Sequence, residues 1–306
     1  MSARQAGLLL ALSAIWGASY LLIKYALEDF EPVFVVWARV VVALLVLCLA
    51  LALGSRSREL SGAWEDLRAR PRAAVRLGLL AIALPFTLIT VGEVHVPSGL
   101  TAVLISPASI FVAMLAPLLD SSERADARAA SGMGIGLAGV ALLVGIESVQ
   151  NLGEFLGSLA ILGAALSYAL SGFVVKRDYA GLSSLATSVV SIATSVVLIA
   201  PFALLAAPQE IPGWRSLVAL LLLGGLGTAL AFVIFYRLIA EVGAGRASLV
   251  SYLAPGVALL YGAWLLDEEI TPAAIGGLAL ILGGVALASS RRRTSPALVA
   301  PGTGDS

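Results

Sequence analysis

Ten long apolar runs constrain this chain more than any other feature of its sequence. Each has about 17 to 23 residues, enough for a helix rising 1.5 Å per residue to cross a hydrocarbon core of about 30 Å. Numbered 1 to 10, they lie near residues 6–26, 33–53, 75–93, 99–119, 130–147, 155–175, 184–206, 217–236, 246–266 and 273–289. Lipid offers backbone groups no partner, and the runs lack the alternation of barrel strands, so we predict ten transmembrane helices.

The composition agrees with a chain that lies in a bilayer. Hydrophobic residues make up 59% and charged residues 12%, against roughly 45–50% and about 25% in soluble domains. Acidic residues, and no cleavage site, follow run 1, so we expect it to be retained as a helix. The one cysteine, Cys48, lies inside run 2 and excludes a disulfide framework.

The chain also repeats itself at a constant offset of 145 residues. Between residues 102 and 142, 14 of 41 positions are identical to their partners 145 residues later. The matched residues include Ser106/Ser251, Glu123/Glu268, Gly132/Gly277 and a shared Gly-Val-Ala-Leu that begins at Gly139 and Gly284. We therefore predict two units of one kind, at residues 1–147 and 148–293, followed by a disordered cytoplasmic tail at 294–306.

The basic residues predict the orientation of the chain in the membrane. If the N-terminus is cytoplasmic, alternate connections collect 16 of the 19 basic residues on one side. They are Arg4, Arg56, Arg58, Arg68, Arg70, Arg72, Arg76, Arg124, Arg128, Lys176, Arg177, Arg237, Arg246 and Arg291 to Arg293. The opposite connections hold Arg215 alone, so the positive-inside rule predicts that both termini are cytoplasmic.

An odd number of crossings in each unit has a consequence for mechanism. Five crossings return the chain to the opposite side, so the second unit must enter the membrane inverted relative to the first. Inverted repeats are a recurring plan of secondary transporters, in which substrate binds between the halves and access alternates. The fold class expected is an all-α membrane protein with ten transmembrane helices, arranged as two inverted five-helix repeats around a central cavity.

Short motifs accompany the runs in a fixed order. They are Trp16-Gly17 followed by Lys24, Arg39 with Ala43, Pro85-Phe86 through Gly92-Glu93, Pro97-Ser98-Gly99-Leu100, and two hairpins of the pattern Glu-x8-Gly-x6-Gly-Val-Ala-Leu. With this order the sequence resembles the EamA-type branch of the drug/metabolite transporter superfamily over nearly its whole length. The resemblance implies a central cavity lined by runs 1, 3, 4, 6, 8 and 9, with runs 5 and 10 packed at the periphery.

Proline residues mark two candidate hinges. Run 9 carries Pro255, whose repeat partner is Ile110, while run 4 carries Pro107 about one turn earlier. A proline inside a membrane helix removes one hydrogen bond and frees a carbonyl, so such positions suit hinges or ligand contacts. A tolerated kink is the alternative.

Aromatic and polar side chains predict where a substrate would bind. In run 1, Trp16, Tyr20 and Lys24 share one helical stripe, and Tyr168 and Ser171 form a comparable set in run 6. The cavity candidates are Trp16, Tyr20, Lys24, Thr87, Thr90, Glu93, Ser106, Tyr168, Ser171, Tyr236, Ser251 and Tyr252. Hydroxyls and aromatic rings with few fixed charges favour small amphipathic solutes such as amino acids over phosphorylated sugars. Close helix packing is the alternative for the small residues.

Charged residues in and beside the runs have two readings each. Glu93 follows an uncharged stretch of 16 residues and is the candidate for proton coupling, with a structural pairing or cap as the alternative. Lys24 fits a pairing with Glu93 or an anionic substrate group, or snorkelling to the interface. Arg39 is expected to pair structurally, with Glu28 or Glu31 near enough in sequence.

The residues shared by both repeats are expected to be scaffold. Glu123 and Glu268 each precede a glycine-rich run, where a carboxylate would cap the start of the next helix. The glycines of runs 5 and 10 fit close packing of helices, or a contact in a homodimer.

The sequence holds no motif for ATP-driven or enzymatic chemistry. No Walker motif, HExxH or Cys/His cluster is present, and the sole histidine, His95, has no companion for metal ligation. We expect no metal, no cofactor and no nucleic-acid partner. The predicted function is export of small organic metabolites, amino acids or drugs, across the inner membrane by alternating access. A passive uniporter or exchanger on the same fold and a non-transporting membrane scaffold or sensor are the alternatives.

Overall fold

The protein is described by a computed structural model that covers residues 1–53, 57–119, 127–147 and 151–289. The helices in the first half are α1 (Ala3–Ala26), α2 (Pro32–Leu53), α3 (Ser57–Ala69), α4 (Pro71–Gly78), α5 (Leu84–Glu93), α6 (Ser98–Ile105), α7 (Ala108–Leu119) and α8 (Ala127–Glu147). Those in the second half are α9 (Leu152–Asp178), α10 (Ser184–Leu205), α11 (Trp214–Gly224), α12 (Ala231–Val242), α13 (Ala244–Ala247), α14 (Val250–Leu265) and α15 (Pro272–Ser289). Over these ranges the chain contains helices and no strand.

All ten predicted runs are helical where the structure describes them. Seven helical segments are long and apolar enough to cross a membrane, with bounds at Ala3–Ala26, Pro32–Leu53, Pro71–Glu93, Ser98–Leu119, Leu152–Asp178, Ser184–Leu205 and Trp214–Val242. Runs 5, 9 and 10 contain shorter apolar helices, at Ala130–Gly145, Val250–Leu265 and Pro272–Ala288. The all-helical membrane fold is therefore confirmed. The glutamate of the first hairpin, Glu123, and the predicted tail at 294–306 lie outside the described residues.

One helix was missed in the sequence because it is too polar to form an apolar run. Helix α3 lies between runs 2 and 3, where we expected a connecting loop, and it packs on α10. Leu60, Ala63 and Leu67 recur at a spacing of three and four, so they share the face that turns towards the bundle. The hydroxyl of Ser183 anchors this helix by donating to the carboxylate of Glu59 over 2.8 Å.

The connections gather at two ends of the bundle. At the acidic end, which holds residues 27–31, 94–97, 206–213 and 266–271, the Asp29 carboxylate accepts a hydrogen bond from the backbone N–H of Gly213 at 2.9 Å. At the arginine-rich end, which holds α3, residues 179–183 and residues 243–249, Arg76 pairs with Asp178 at 3.0 Å. Which of these ends faces the cytoplasm stays a prediction.

The helices pack in pairs that remain equivalent when each run is exchanged for the run five places away. Run 3 packs on runs 6 and 7, just as run 8 packs on runs 1 and 2. Runs 1 and 9 are in contact, and so are their equivalents, runs 6 and 4. Three further pairs are each their own equivalent under this exchange: runs 2 and 7, runs 4 and 9, and runs 5 and 10. Runs 5 and 10 pack mainly on each other, through α8 and α15.

Two π-helical turns also occupy corresponding places. They interrupt run 3 at Leu79–Ala83 and run 8 at Gly225–Leu230, and each follows a glycine on which a neighbouring helix packs closely. A π-helical turn displaces backbone groups from the regular ladder, and neighbouring side chains bond to them here. The hydroxyl of Ser167, from α9, donates to the carbonyl of Leu80 at 2.8 Å.

The proline positions differ between runs 4 and 9. Run 4 breaks beside Pro107, because α6 ends at Ile105 and α7 begins at Ala108. Run 9 breaks at residues 248–249, between α13 and α14, whereas Pro255 lies inside the continuous helix α14.

The shared glycines of runs 5 and 10 bring α8 and α15 together within one chain. A Cβ atom built on Gly284 would lie 2.5 Å from the carbonyl oxygen of Gly132, and one on Gly139 would lie 2.8 Å from that of Gly277. Only residues without a side chain allow such an approach. These glycines therefore pack against each other inside the chain, as the close-packing interpretation predicts.

A methyl group at this contact should destabilise the protein. We expect Gly284→Ala to lower the free energy of unfolding by about 1–3 kcal/mol, since its Cβ would overlap backbone atoms that cannot move alone. Gly283→Ala is the matched control, because a Cβ there meets nothing within 4 Å. Unfolding of both variants in detergent, followed by circular dichroism, checks this. Equal stability of the two variants would contradict it.

Candidate functional site

A buried arginine lies where runs 2, 3 and 8 meet. Helix α2 carries Arg39 into the bundle, where the residue is only 7% exposed. Its Nε donates a hydrogen bond to the Thr228 hydroxyl at 2.9 Å, and the guanidinium carbon lies 4.1 Å from the centre of the Phe86 ring. Thr228 stands in the second π-helical turn and donates in turn to the carbonyl of Leu223 at 3.0 Å. The arginine thus holds together three runs, and the aromatic face stabilises its charge.

The predicted pairing of Arg39 with Glu28 or Glu31, in the connection that precedes run 2, is wrong. Glu28 lies at the acidic end and pairs there with Arg215 at 3.6 Å. Sequence reasoning assigned Arg39 to the wrong neighbours because its true partner, Thr228, lies 189 residues away. A charge six residues inside an apolar run was the signal that could have placed it in the site.

A buried carboxylate lies close to this arginine. Glu93, the last residue of α5, is completely buried, and neither of its carboxylate oxygens has a hydrogen-bond donor among the described residues. The charges that act on it come from Lys24, Glu268 and Arg39. A carboxylate without a donor is costly in a bundle interior when it is ionised.

Lys24 contacts the backbone of Glu93 rather than its side chain. Its Nζ donates to the carbonyl oxygen of Glu93 at 2.5 Å, at the C-terminus of α5. That contact joins run 1 to run 3 and satisfies a carbonyl at a helix end, where a cation is favourable. Both residues border a cleft of about 400 Å³ at the acidic end, together with Glu28 and Glu31.

Two tyrosines complete the central cluster. Tyr20 from α1 and Tyr168 from α9 are partly buried and pack against one hydrophobic cluster that includes Ile23, Ile89 and Ala164. Both are near enough to Arg39 to interact with its charge. The cluster of Tyr20, Arg39, Glu93 and Tyr168, which we call the central cluster, therefore draws on runs 1, 2, 3 and 6. Thr228 adds run 8.

The remaining predicted residues lie outside this cluster. The Trp16 ring lies 5.2 Å from that of Phe235, and Tyr236 and Tyr252 are partly buried in two other hydrophobic clusters. The hydroxyls of Thr87, Thr90, Ser106 and Ser171 donate to carbonyls of their own helices, over 2.7, 2.9, 3.2 and 2.8 Å. Ser251 is exposed at the start of α14, and His95 is exposed at the acidic end. Their role in binding stays a prediction.

The comparison with known families decides the identity of the fold and its class. Residues 5–145 and 155–290 each match the model of the EamA-like transporter family. The chain belongs to the EamA-like family. It is a multi-pass membrane transporter, as the sequence motifs predicted.

Relatives of this EamA-like protein are named as transporters. YedA of Escherichia coli strain K12, named as an uncharacterized inner membrane transporter, is 30% identical over 300 residues, which are 96% of this chain and 94% of that protein. An uncharacterized transporter of Archaeoglobus fulgidus is 25% identical over 278 residues, covering 90% of this chain and 95% of that one. A solved crystal structure with 19% sequence identity superposes with a TM-score of 0.65 over 94% of this chain and 97% of the other, which supports the shared fold.

A second glutamate closes the acidic end of this transporter. The Glu268 carboxylate accepts hydrogen bonds from the backbone N–H of Ser98 at 2.7 Å, the Ser98 hydroxyl at 2.9 Å and the N–H of Gly99 at 3.0 Å. The predicted capping role is therefore right, but the helix is different. Glu268 caps α6 of the first repeat, while the Thr271 hydroxyl accepts from the N–H of Ala274 at the start of α15.

An aspartate of the first half makes a similar contact with the start of a helix in the second half. Asp29 accepts from the Ser216 hydroxyl at 2.6 Å and from the N–H of Gly213, at the start of α11. These two hydrogen bonds, that from Ser216 first, hold the pKa of the Asp29 carboxyl below its usual range. Its contact is therefore kept at neutral pH and is lost only as the pH falls through the lowered pKa.

Removing the charge of Glu268 should weaken the start of α6. We expect Glu268→Gln to lower the free energy of unfolding by about 0.5–2 kcal/mol, because an amide offers one acceptor oxygen and no charge to the helix dipole. Glu269→Gln is the matched control. Glu268 and the exposed Glu269 both border a second cleft, of about 330 Å³. Chemical unfolding in detergent measures both. A loss as large in the control would show that the cap is not responsible.

Proposed function

We propose that this protein is a secondary carrier that exports small amphipathic organic solutes, such as amino acids or drugs, across the inner membrane by alternating access. The observation that carries the proposal is the central cluster, in which charged and aromatic side chains from both repeats meet inside an apolar bundle. Intramembrane charges that face a bundle interior mark substrate and ion pathways. Substrate sites between repeats are the general plan of such carriers.

An inverted repeat is supported by three independent correspondences. The family model matches twice, the helix pairs map onto themselves under a shift of five runs, and the π-helical turns lie at corresponding places. A parallel duplication would need an even number of crossings in each unit. Five apolar runs per unit therefore favour inversion.

The packing of runs 1 and 6 favours a state that is closed at the acidic end. Helix α1 packs on α5 and α6, in the halves of runs 3 and 4 near the acidic end. The equivalent contacts of α9, with α12 and α13, would close the arginine-rich end, and contacts of similar extent do not occur there among the described residues. Breaking one set of contacts while the other forms would expose the central cluster to each side in turn.

Specific polar contacts hold the acidic end shut. Lys24 bonds to the Glu93 carbonyl, the Tyr25 hydroxyl donates to the carbonyl of Leu265 at 3.2 Å, and Glu268 caps α6. Each joins runs that must separate when that end opens. When that end opens, water can replace each of these hydrogen bonds, so the contacts can break and re-form as a gate does.

Glu93 is the proposed proton site. The charges that act on it are those of Lys24, Arg39 and Glu268, so a proton on Glu93 changes the charge balance between two cations and a second carboxylate. Coupling to a proton gradient requires such a carboxylate at a place from which both sides can be reached in turn.

Counterflow of labelled amino acids in proteoliposomes tests the function. Wild-type protein should accelerate counterflow, and an imposed pH gradient should drive uptake against the solute gradient. Glu93→Gln should keep counterflow but lose the component driven by the pH gradient, by about tenfold or more, since an amide does not carry the proton. Glu154→Gln, at the acidic end, is the control and should behave as wild type.

Three outcomes separate this proposal from its alternatives. Counterflow that is insensitive to a pH gradient in wild-type protein would indicate a passive uniporter or exchanger. Unchanged pH-driven uptake by Glu93→Gln would exclude Glu93 as the proton site. No transport of any tested solute, with Tyr20→Ala indistinguishable from wild type, would indicate a scaffold or sensor.

The orientation can be tested with single cysteines. In a variant in which Cys48 is replaced by Ala, we expect Gly62→Cys in α3 to be protected from an impermeant thiol reagent in intact cells. Glu210→Cys, at the acidic end, should be labelled. This follows from the excess of arginine at the end that holds α3. Labelling of position 62 from outside would overturn the proposal that both termini are cytoplasmic.

A further inference from the structure

Arg39 is a buried cation that has no carboxylate partner in the described parts of the chain. Its contacts are the Thr228 hydroxyl, through Nε, and the ring of Phe86. A guanidinium presents five N–H donors in a planar fork, and Nε uses one of them. The two terminal nitrogens, Nη1 and Nη2, therefore have four N–H groups with no acceptor among the described residues.

These terminal nitrogens are partly accessible. Among described residues, the enclosed side-chain atoms without a hydrogen-bond partner belong to Trp37, Asp66, Glu93, Tyr179 and Thr194, and not to Arg39. Arg39 is nevertheless only 7% exposed, so little room is open beside its free donors. An anion that enters this space would meet a charge that water screens poorly.

Glu93 does not supply that anion in this state. It acts on Arg39 through its charge but forms no ion pair with it within the described residues, and both of its oxygens are enclosed. The free donors of Arg39 and the orphaned oxygens of Glu93 are therefore separate features. Water or a bound solute is therefore left as the acceptor for the free donors of Arg39.

We propose that Nη1 and Nη2 of Arg39 bind the carboxylate of the transported solute, so that the substrates are small zwitterions or acids with an apolar body. The fork of a guanidinium matches the two oxygens of a carboxylate, and such bidentate contacts are among the strongest in proteins. The rings of Phe86, Tyr20 and Tyr168 offer apolar surface beside it. This inference rests on the proposed transport function and adds the chemical group that is recognised.

Matched ligands that differ only in the carboxylate test the proposal. Equilibrium binding of L-leucine, L-valine and L-phenylalanine to the full chain in lipid nanodiscs is compared by calorimetry with binding of their carboxamides. Wild-type protein should bind the amino acids about tenfold tighter or more, because the amide lacks the charge and one acceptor. Arg39→Gln should remove this preference.

Variants at other positions show whether the effect belongs to Arg39. Arg215→Gln is the matched control, since Arg215 also lies on an aromatic ring, 3.9 Å from that of Tyr25, but is half exposed at the acidic end. It should keep the full preference. Arg39→Lys keeps the charge without the fork and should reduce the preference several-fold, which gives a readout even where Arg39→Gln does not fold.

The outcomes of binding and transport are distinguishable. Equal binding of amino acids and carboxamides to wild-type protein, an unchanged preference in Arg39→Lys, or no binding of any amino acid tested would overturn the carboxylate subsite. Transport of solutes without a carboxylate would leave the carrier function standing and remove only this inference. Selective binding of amino acids without counterflow would support the carboxylate subsite and contradict the carrier function.

Discussion

The need to satisfy every backbone hydrogen bond within lipid is the constraint on which this structure depends. It requires helices wherever the chain crosses the bilayer, and any break must find other partners. In run 3 a partner comes from a neighbouring run, since the hydroxyl of Ser167 donates to the carbonyl of Leu80. In run 8 the Thr228 hydroxyl donates to the carbonyl of Leu223 and accepts a hydrogen bond from Arg39 of run 2. The irregular turns are thus the places where helices of different repeats become linked by polar groups.

Much of the fold could be predicted from the sequence, because it is set by local composition. Apolar runs and repeated glycines each report on their own surroundings, and they correspond to helices and to close helix contacts in the described residues. Helix α3 escaped because an amphipathic helix at an interface has no long apolar run. The spacing of Leu60, Ala63 and Leu67 along one helical face would have predicted it, although the composition of the segment does not.

The candidate site was less predictable because its contacts are distant in sequence. Arg39 and Thr228 are 189 residues apart, and Glu268 reaches Ser98 over 170 residues. Each polar group was assigned a nearby partner, an acidic connection for Arg39 and the next helix for Glu268. In a duplicated bundle the nearest partner in space often belongs to the other repeat. The polar contacts therefore join the two halves, whereas the apolar runs define each half alone.

The same interleaving explains how a duplicated chain can be asymmetric. If the two repeats are inverted, every contact at one end has an equivalent at the other, and both sets cannot form together without sealing the interior from both sides. Helix α1 makes its set with α5 and α6 at the acidic end, while α9 makes no set of similar extent at the other end within the described ranges. The central cluster contains a cation, Arg39, whose contacts among the described residues are a ring and a hydroxyl. Because the charge of Arg39 is incompletely stabilised, a conformation in which an anion binds to it is favoured. Binding of an anion at Arg39 would therefore shift the balance between the two sets of contacts.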